Sequence, residues 1–243
     1  MKKIYGLIGK NISYSFSRAY FNEKFKKENI NAEYVNFDLK SIEELPEVFK
    51  TENLGGLNVT IPYKQEVFPY LKNLSKTAKA IGAVNVLKFE NDGTITGHNS
   101  DFYGFKNSLL PLLKFQPKKA LLLGTGGASK AVAHALKSLD IDYTFVSRRK
   151  KTGQLTYEEL TKSHIVENLL LINCTPLGTF PKVEDCPDIP YQFITKNHVL
   201  YDLIYNPEET AFMKNGIEKG ATVSNGLQML VLQAEKAYEI WNS

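Results

Sequence analysis

Short apolar runs alternate along the chain with segments whose apolar side chains recur every three or four positions. The runs at 3–8, 33–37, 57–60, 119–123, 142–146, 169–173, 198–203 and 222–223 predict strands. Helical spacing predicts a helix from about 17 to 28, capped by Ser17 and carrying Phe21 and Phe25 on one face. A second helix is predicted over 41–49, weakened by Pro46. Residues 85–89 and 94–97 flank Asn91, Asp92 and Gly93, a hairpin signature. Later helices are predicted over 101–113, ending early at Pro111, over 128–139, and over 208–219. The last, from about 226 to 241, has Leu227, Leu230, Val231, Ala234, Tyr238 and Trp241 on one wide stripe that must be buried, and it is expected to pack back on the N-terminal half. Strands alternating with amphipathic helices make this a parallel-rich α/β protein.

Composition narrows the class. A chain of 243 residues, 43% hydrophobic and 23% charged, is ordinary globular material with room for two modest domains. A net charge of +4 is too small to point to nucleic acid, and no apolar stretch approaches membrane-spanning length. Cys174 and Cys186 form no CxxC pair and read as free thiols of a reducing compartment, hence a cytoplasmic protein. The four histidines are scattered without metal-ligand spacing, so no metal is expected. Of 30 basic residues only Arg18, Arg148 and Arg149 are arginine, which draws attention to places where a planar, two-pronged donor is needed.

Two of those arginines fall at an informative position. The sequence GTGGAS at 124–129 lies between a predicted strand and a predicted helix. There Gly124 permits a tight turn, while Gly126, Gly127 and Ala128 open a helix whose N–H groups can receive a pyrophosphate. Ser129 stands where the usual fingerprint has a third glycine. An NAD site carries an acid about 20 residues beyond the first glycine; here Ser147, Arg148, Arg149, Lys150 and Lys151 follow the next strand instead. A solvated charged loop is one reading of this run. Its position and the scarcity of arginine favour a 2′-phosphate, and therefore NADP.

Further motifs stand in order along the rest of the chain: GKNISYSFS at 9–17, NVTIPYK at 58–64, GAVN at 82–85, GHNSD at 97–101, NCTPLG at 173–178, YDLIY at 201–205 and NGLQMLVLQA at 225–234. The series resembles shikimate dehydrogenases from end to end, most specifically in the NVTxPxK and GAVN elements. The resemblance implies an N-terminal α/β substrate domain (1–100 with 226–243), a Rossmann-like NADP-binding domain (101–225) and a cleft between them. It implies a catalytic pair, Lys64 and Asp101. It implies substrate contacts from Ser15, Ser17, Thr60, Asn85, Tyr205 and Gln233, and cofactor contacts from Thr175, Gly226 and Met229 beside the glycine turn. The partners expected are a small-molecule substrate, 3-dehydroshikimate or shikimate, and NADP, with no nucleic acid or membrane, in a monomer or homodimer.

The chemistry is sensible on its own terms. Ketone reduction needs a hydride from a cofactor and a proton, which a lysine can give as general acid under the influence of a nearby carboxylate. Taken singly, Ser17 could be only a helix cap, Asn85 a turn residue, Asp101 a cap, and Tyr205 and Met229 core packing. The chain departs from the family pattern at Asn11, Tyr14 and Arg18, where proline, histidine and proline are usual, and at the Ser147-Arg148-Arg149 segment. Alternatives are a quinate/shikimate enzyme using NAD, a non-catalytic NADP-binding regulator on the same scaffold, and methylenetetrahydrofolate dehydrogenase. The absent acid, the Lys64 and Asp101 pair, and the serine pair with GAVN argue against them in turn.

Overall fold

A computed structural model describes residues 1–13 and 15–243, so the departure at Tyr14 lies outside the described residues. The chain divides into two compact units, Met1–Ser100 with Gln233–Ser243, and Asp101–Leu232.

The first unit contains β1 (Lys3–Gly9), α1 (Phe16–Lys27), β2 (Ala32–Asp38), α2 (Leu45–Val48), β3 (Leu54–Val59), β4 (Asn73–Leu74), α3 (Lys76–Ile81), β5 (Val86–Phe89) and β6 (Ile95–His98). Its strands form one sheet in the order β2-β1-β3-β5-β6-β4. The pairs of β1 with β2 and β3 are parallel, whereas the β5–β6 hairpin joins antiparallel. Gly93 turns the hairpin at φ +80°, and the Asp92 carboxylate accepts from the Thr94 N–H and hydroxyl.

Two predicted helices of this unit begin or run differently. The first starts at Phe16, so Ser15 rather than Ser17 holds the cap position, and Ser15 makes no side-chain cap bond. Segment 41–49 is a 3₁₀ turn, Ile42–Glu44, followed by the single turn of α2, because Pro46 can sit only at a helix start.

The second unit contains α4 (Asp101–Leu109), β7 (Lys119–Leu123), α5 (Gly127–Ser138), β8 (Asp142–Ser147), β9 (Leu155–Thr156), α6 (Lys162–Glu167), β10 (Leu170–Asn173), β11 (Val199–Asp202), α7 (Ala211–Ile217), β12 (Thr222–Ser224) and α8 (Leu227–Trp241). Its sheet, β12-β11-β10-β7-β8-β9, is parallel throughout. The strands bury both faces. Ala120 and Leu122 join the core with Phe105, Val132, Leu136 and Met229; Leu121 and Leu123 join the opposite core with Val146, Ile165 and Phe212. The order reverses between β7 and β10, which opens a crevice at their C-terminal ends.

Helix α8 is shared between the units. Met229 belongs to the second unit's core, which is why the division falls after Leu232 rather than at 226. Beyond it Ala234, Ala237 and Trp241 pack with Tyr5, Phe21, Phe25 and Tyr34 of the first unit. A Cβ on Gly56 would lie 2.2 Å from the Trp241 ring, so only glycine admits that indole, whose Nε1 donates to the Leu87 carbonyl at 3.1 Å. Among the described residues no helix is long and apolar enough to cross a membrane, and no group of three His, Cys, Asp or Glu side chains could hold a metal ion.

Candidate functional site

In the first unit the motifs converge at the C-terminal ends of β1 and β3. The loop after β1 is tied to NVTIPYK by Lys10 N–H donating to the Ile61 carbonyl at 3.2 Å. A Cβ on Gly9 would lie 2.5 Å from the Thr60 methyl. GAVN is tied to the same segment by Val84 N–H to the Lys64 carbonyl (2.8 Å), Val59 N–H to the Asn85 carbonyl (2.9 Å) and the Asn58 amide to that carbonyl (3.1 Å). Lys64, in the turn after β3, is half-buried.

A chain of side-chain hydrogen bonds runs through this edge. The Tyr34 phenol O–H donates to Asn58 Oδ1 at 2.7 Å, with the Ser17 hydroxyl nearby. Burial pushes the Tyr34 phenol pKa well above its ordinary value, so it stays protonated and a donor. Buried Asn85 accepts the Ser100 N–H at 2.7 Å and donates to the Ser100 hydroxyl at 3.1 Å. Ser100 directly precedes Asp101, the buried first residue of α4. Two expected substrate residues carry buried atoms with no hydrogen-bond partner among the described residues: Ser15 Oγ and Gln233 Oε1. Unmet buried polar atoms cost free energy, and a polar ligand repays it.

In the second unit Gly124, Thr125, Gly126, Ser147, Arg148, Tyr157, Cys174, Thr175, Pro176 and Leu177 wall a pocket of about 320 Å³ at the β7/β10 crevice. Gly124 has φ +105°, and a Cβ there would meet the Thr175 methyl at 2.8 Å, so the turn requires glycine twice over. At Gly126 nothing lies nearer than 3.9 Å to an added Cβ, leaving the start of α5 open to a phosphate. Ser129 is buried and turned back, donating to the Gly126 carbonyl at 2.7 Å. Ser147 donates to the Arg149 carbonyl at 2.6 Å, bending the chain as it leaves β8. Lys150 is paired with Glu159, but among the described residues no acid is paired with Arg148 or Arg149.

The wall contributed by 173–178 is held by a buried network. Asn173 Oδ1 accepts from the Thr175 N–H (3.0 Å) and hydroxyl (2.6 Å), and Asn173 Nδ2 donates to Asp202 Oδ1 at 3.0 Å. Asp202 also accepts from Ile204 N–H and from the Thr210 hydroxyl. Burial pushes its carboxyl up to about 6, against the opposing pull of those hydrogen bonds.

The expected site residues therefore sort by unit. Ser15, Ser17, Thr60, Lys64, Asn85 and Gln233 belong to the first; Asp101, Tyr205 and all the expected cofactor residues belong to the second. Gly124, Gly126, Ser147, Arg148 and Thr175 share the pocket, whereas Gly127 and Ala128 continue into α5 and Arg149 is exposed on the loop. Gly226 packs so tightly on the Leu203 carbonyl that a Cβ would lie 2.1 Å from it, and Met229 is core. Sequence reasoning missed Tyr34 and Asn58, which link the motifs, and Tyr157, which follows a two-residue strand with no periodicity to reveal it.

A glycine turn at a helix start, at the reversal point of a parallel sheet and beside Arg148, defines a dinucleotide-binding α/β enzyme of the dehydrogenase class. Residues 7–87 match the family model described as shikimate dehydrogenase substrate binding domain. The chain is 40% identical to a shikimate dehydrogenase (NADP(+)) of Clostridium beijerinckii, over 98% of this chain and 92% of the relative. A chorismate mutase/shikimate 5-dehydrogenase fusion protein from Clostridium acetobutylicum superposes with a TM-score of 0.90 at 37% identity, over 100% of this chain and 92% of that one. A shikimate 5-dehydrogenase from Thermus thermophilus, solved with NADP(H) and shikimate, gives 0.86 at 27% identity, over 98% and 93%. The chain belongs to the shikimate dehydrogenase family.

Proposed function

We propose that this chain catalyses the reversible, NADP-dependent reduction of 3-dehydroshikimate to shikimate, as a step in aromatic amino acid biosynthesis in the cytoplasm. The observation that carries the reading is the pair of chemistries the units offer. The first joins the family's substrate motifs and leaves Ser15 Oγ and Gln233 Oε1 without partners among the described residues. The second sets Arg148 beside a glycine turn where an NAD site would need an acid.

The substrate is a hydroxylated ring bearing a carboxylate. Ser15 and Ser17 hydroxyls suit the carboxylate as donors, and Thr60, Asn85, Tyr205 and Gln233 suit the ring hydroxyls. When bound, NADPH supplies the hydride that reduces the carbonyl carbon. Gly124, Gly126, Gly127 and Ala128 hold its pyrophosphate through backbone N–H groups. Ser147, Arg148 and Arg149 would hold the 2′-phosphate, with Thr175, Gly226 and Met229 as further cofactor contacts.

Lys64 gives a proton from its ammonium to the substrate carbonyl oxygen as negative charge develops there, and is left neutral until water returns the proton. In the oxidative direction it takes the hydroxyl proton. Asp101 is the second member of the family's catalytic pair. Fixed geometry at the ring supplies much of the remaining rate. The protein acts as a monomer or homodimer.

A matrix of shikimate and quinate against NADP and NAD tests the proposal. Turnover concentrated in the shikimate–NADP cell is expected. Turnover concentrated with quinate and NAD would overturn it, and tight NADP binding without turnover would mark a regulator instead.

A further inference from the structure

The pocket beside Arg148 contains a side chain that neither the sequence motifs nor the proposed mechanism uses. Strands β8 and β9 are parallel, with Val146 opposite Leu155 and Ser147 opposite Thr156. Tyr157, which follows directly, shares the pocket wall with Arg148, whose guanidinium acts on its phenol. The position is firmly built. Thr156 and Glu159 form a reciprocal cap over the 3₁₀ turn Tyr157–Glu159, with Thr156 N–H donating to Glu159 at 2.8 Å, and Lys150 clamps the same carboxylate. The Tyr157 ring packs on the core that includes Val146, Leu160 and Leu171.

Its hydroxyl is anomalous. It is buried and has no hydrogen-bond partner among the described residues, although Tyr157 is part of the pocket wall. A phenol left this way forfeits a hydrogen bond that it makes to water when unfolded. The core offers it nothing, whereas a ligand oxygen in the pocket would. Burial and the nearby Cys174 push the phenol up to about 12, against the pull of the Arg148 guanidinium, so it is a proton donor at any physiological pH. A neutral donor beside a guanidinium matches a phosphate oxygen better than a ribose hydroxyl, which a carboxylate acceptor would serve.

We propose that Tyr157 is a further cofactor-binding residue, its hydroxyl donating to the 2′-phosphate of NADP alongside Arg148. This rests on the reading of the pocket as an NADP site.

The test is calorimetric titration of the whole protein without substrate, using 2′,5′-ADP and 5′-AMP as probes. Tyr157→Phe keeps the ring and deletes only the unpartnered oxygen, so the variant should melt no lower than the parent. For the parent, 2′,5′-ADP should bind more tightly than 5′-AMP. In Tyr157→Phe, affinity for 2′,5′-ADP should fall about tenfold, with 5′-AMP unchanged. Unchanged affinity for 2′,5′-ADP, or an equal fall for both probes, overturns the role of the hydroxyl while leaving the NADP reading intact. A parent protein that does not prefer 2′,5′-ADP overturns both.

Discussion

In the second unit the candidate pocket gathers a glycine turn, the open start of α5 and a loop held by Asn173 and Asp202, with Arg148 and Tyr157 on its wall. In the first unit the candidate site is made of side chains, hydroxyls and amides on a relay from Tyr34 through Asn58 to the Asn85–Ser100 pair. The difference follows from what each must hold. A pyrophosphate is an extended anion, met well by repeated N–H donors at a helix start. A small ring with several hydroxyls must be told from close analogues, which needs individually placed donors and acceptors.

The sharpest way to break this comparison is Lys64→Ala. Turnover with shikimate and NADP should fall about 10²- to 10⁴-fold, while NADP binding to the second unit, read by calorimetry, holds. Near-normal turnover would remove Lys64 from the proton step.

Asp202 probes the rigidity of the second unit. Its carboxyl is raised from an ordinary 3.8 to about 6 by burial, so folding favours the protonated form. The stabilising contribution is complete below about pH 4 and is lost as pH rises through about 6, a difference of about 3 kcal/mol for a shift of this size. Denaturant unfolding from pH 4 to 7 should show that decline in the parent and a flatter profile in Asp202→Asn. Identical profiles would mean that Asp202 titrates as an exposed acid does.

Arg148→Gln sharpens the contrast at the cofactor. NADP affinity should drop about tenfold or more, with NAD affinity unmoved, as expected for loss of a charge-assisted contact. Equal loss for both cofactors would show that the guanidinium does not read the 2′-phosphate.

Smallest in stability is Tyr34→Phe, which deletes one link of the first unit's relay. It should cost about 1 kcal/mol and raise the KM for shikimate without changing NADP affinity. A shift confined to NADP would contradict the assignment of the relay to the substrate side.

Much of the fold was legible because it rests on local periodicity. The runs at 119–123 and 169–173 are strands in the structure, and the apolar stripes at 128–139 and 226–241 are helices, because burial on a given face imposes its repeat on the sequence. Where length is short, the signal fades. Strands β4 and β9 have two residues each, too few for alternation, and helices α3 and α6 have six. Serine at 17 predicts a helix cap because caps favour serine, yet the helix starts at Phe16 and Ser15 holds the cap position.

The sequence alone determined the alternating α/β architecture, the glycine turn and the basic segment after β8, since each depends on residue type within a few positions. The tertiary structure alone decided that Asn58 meets Tyr34, that Asp202 supports the wall carrying Thr175, and that Tyr157 shares a pocket wall with Arg148. Those contacts join residues brought together by strand register and packing. Their energies depend on burial and on which partners are missing, neither of which is written in local spacing.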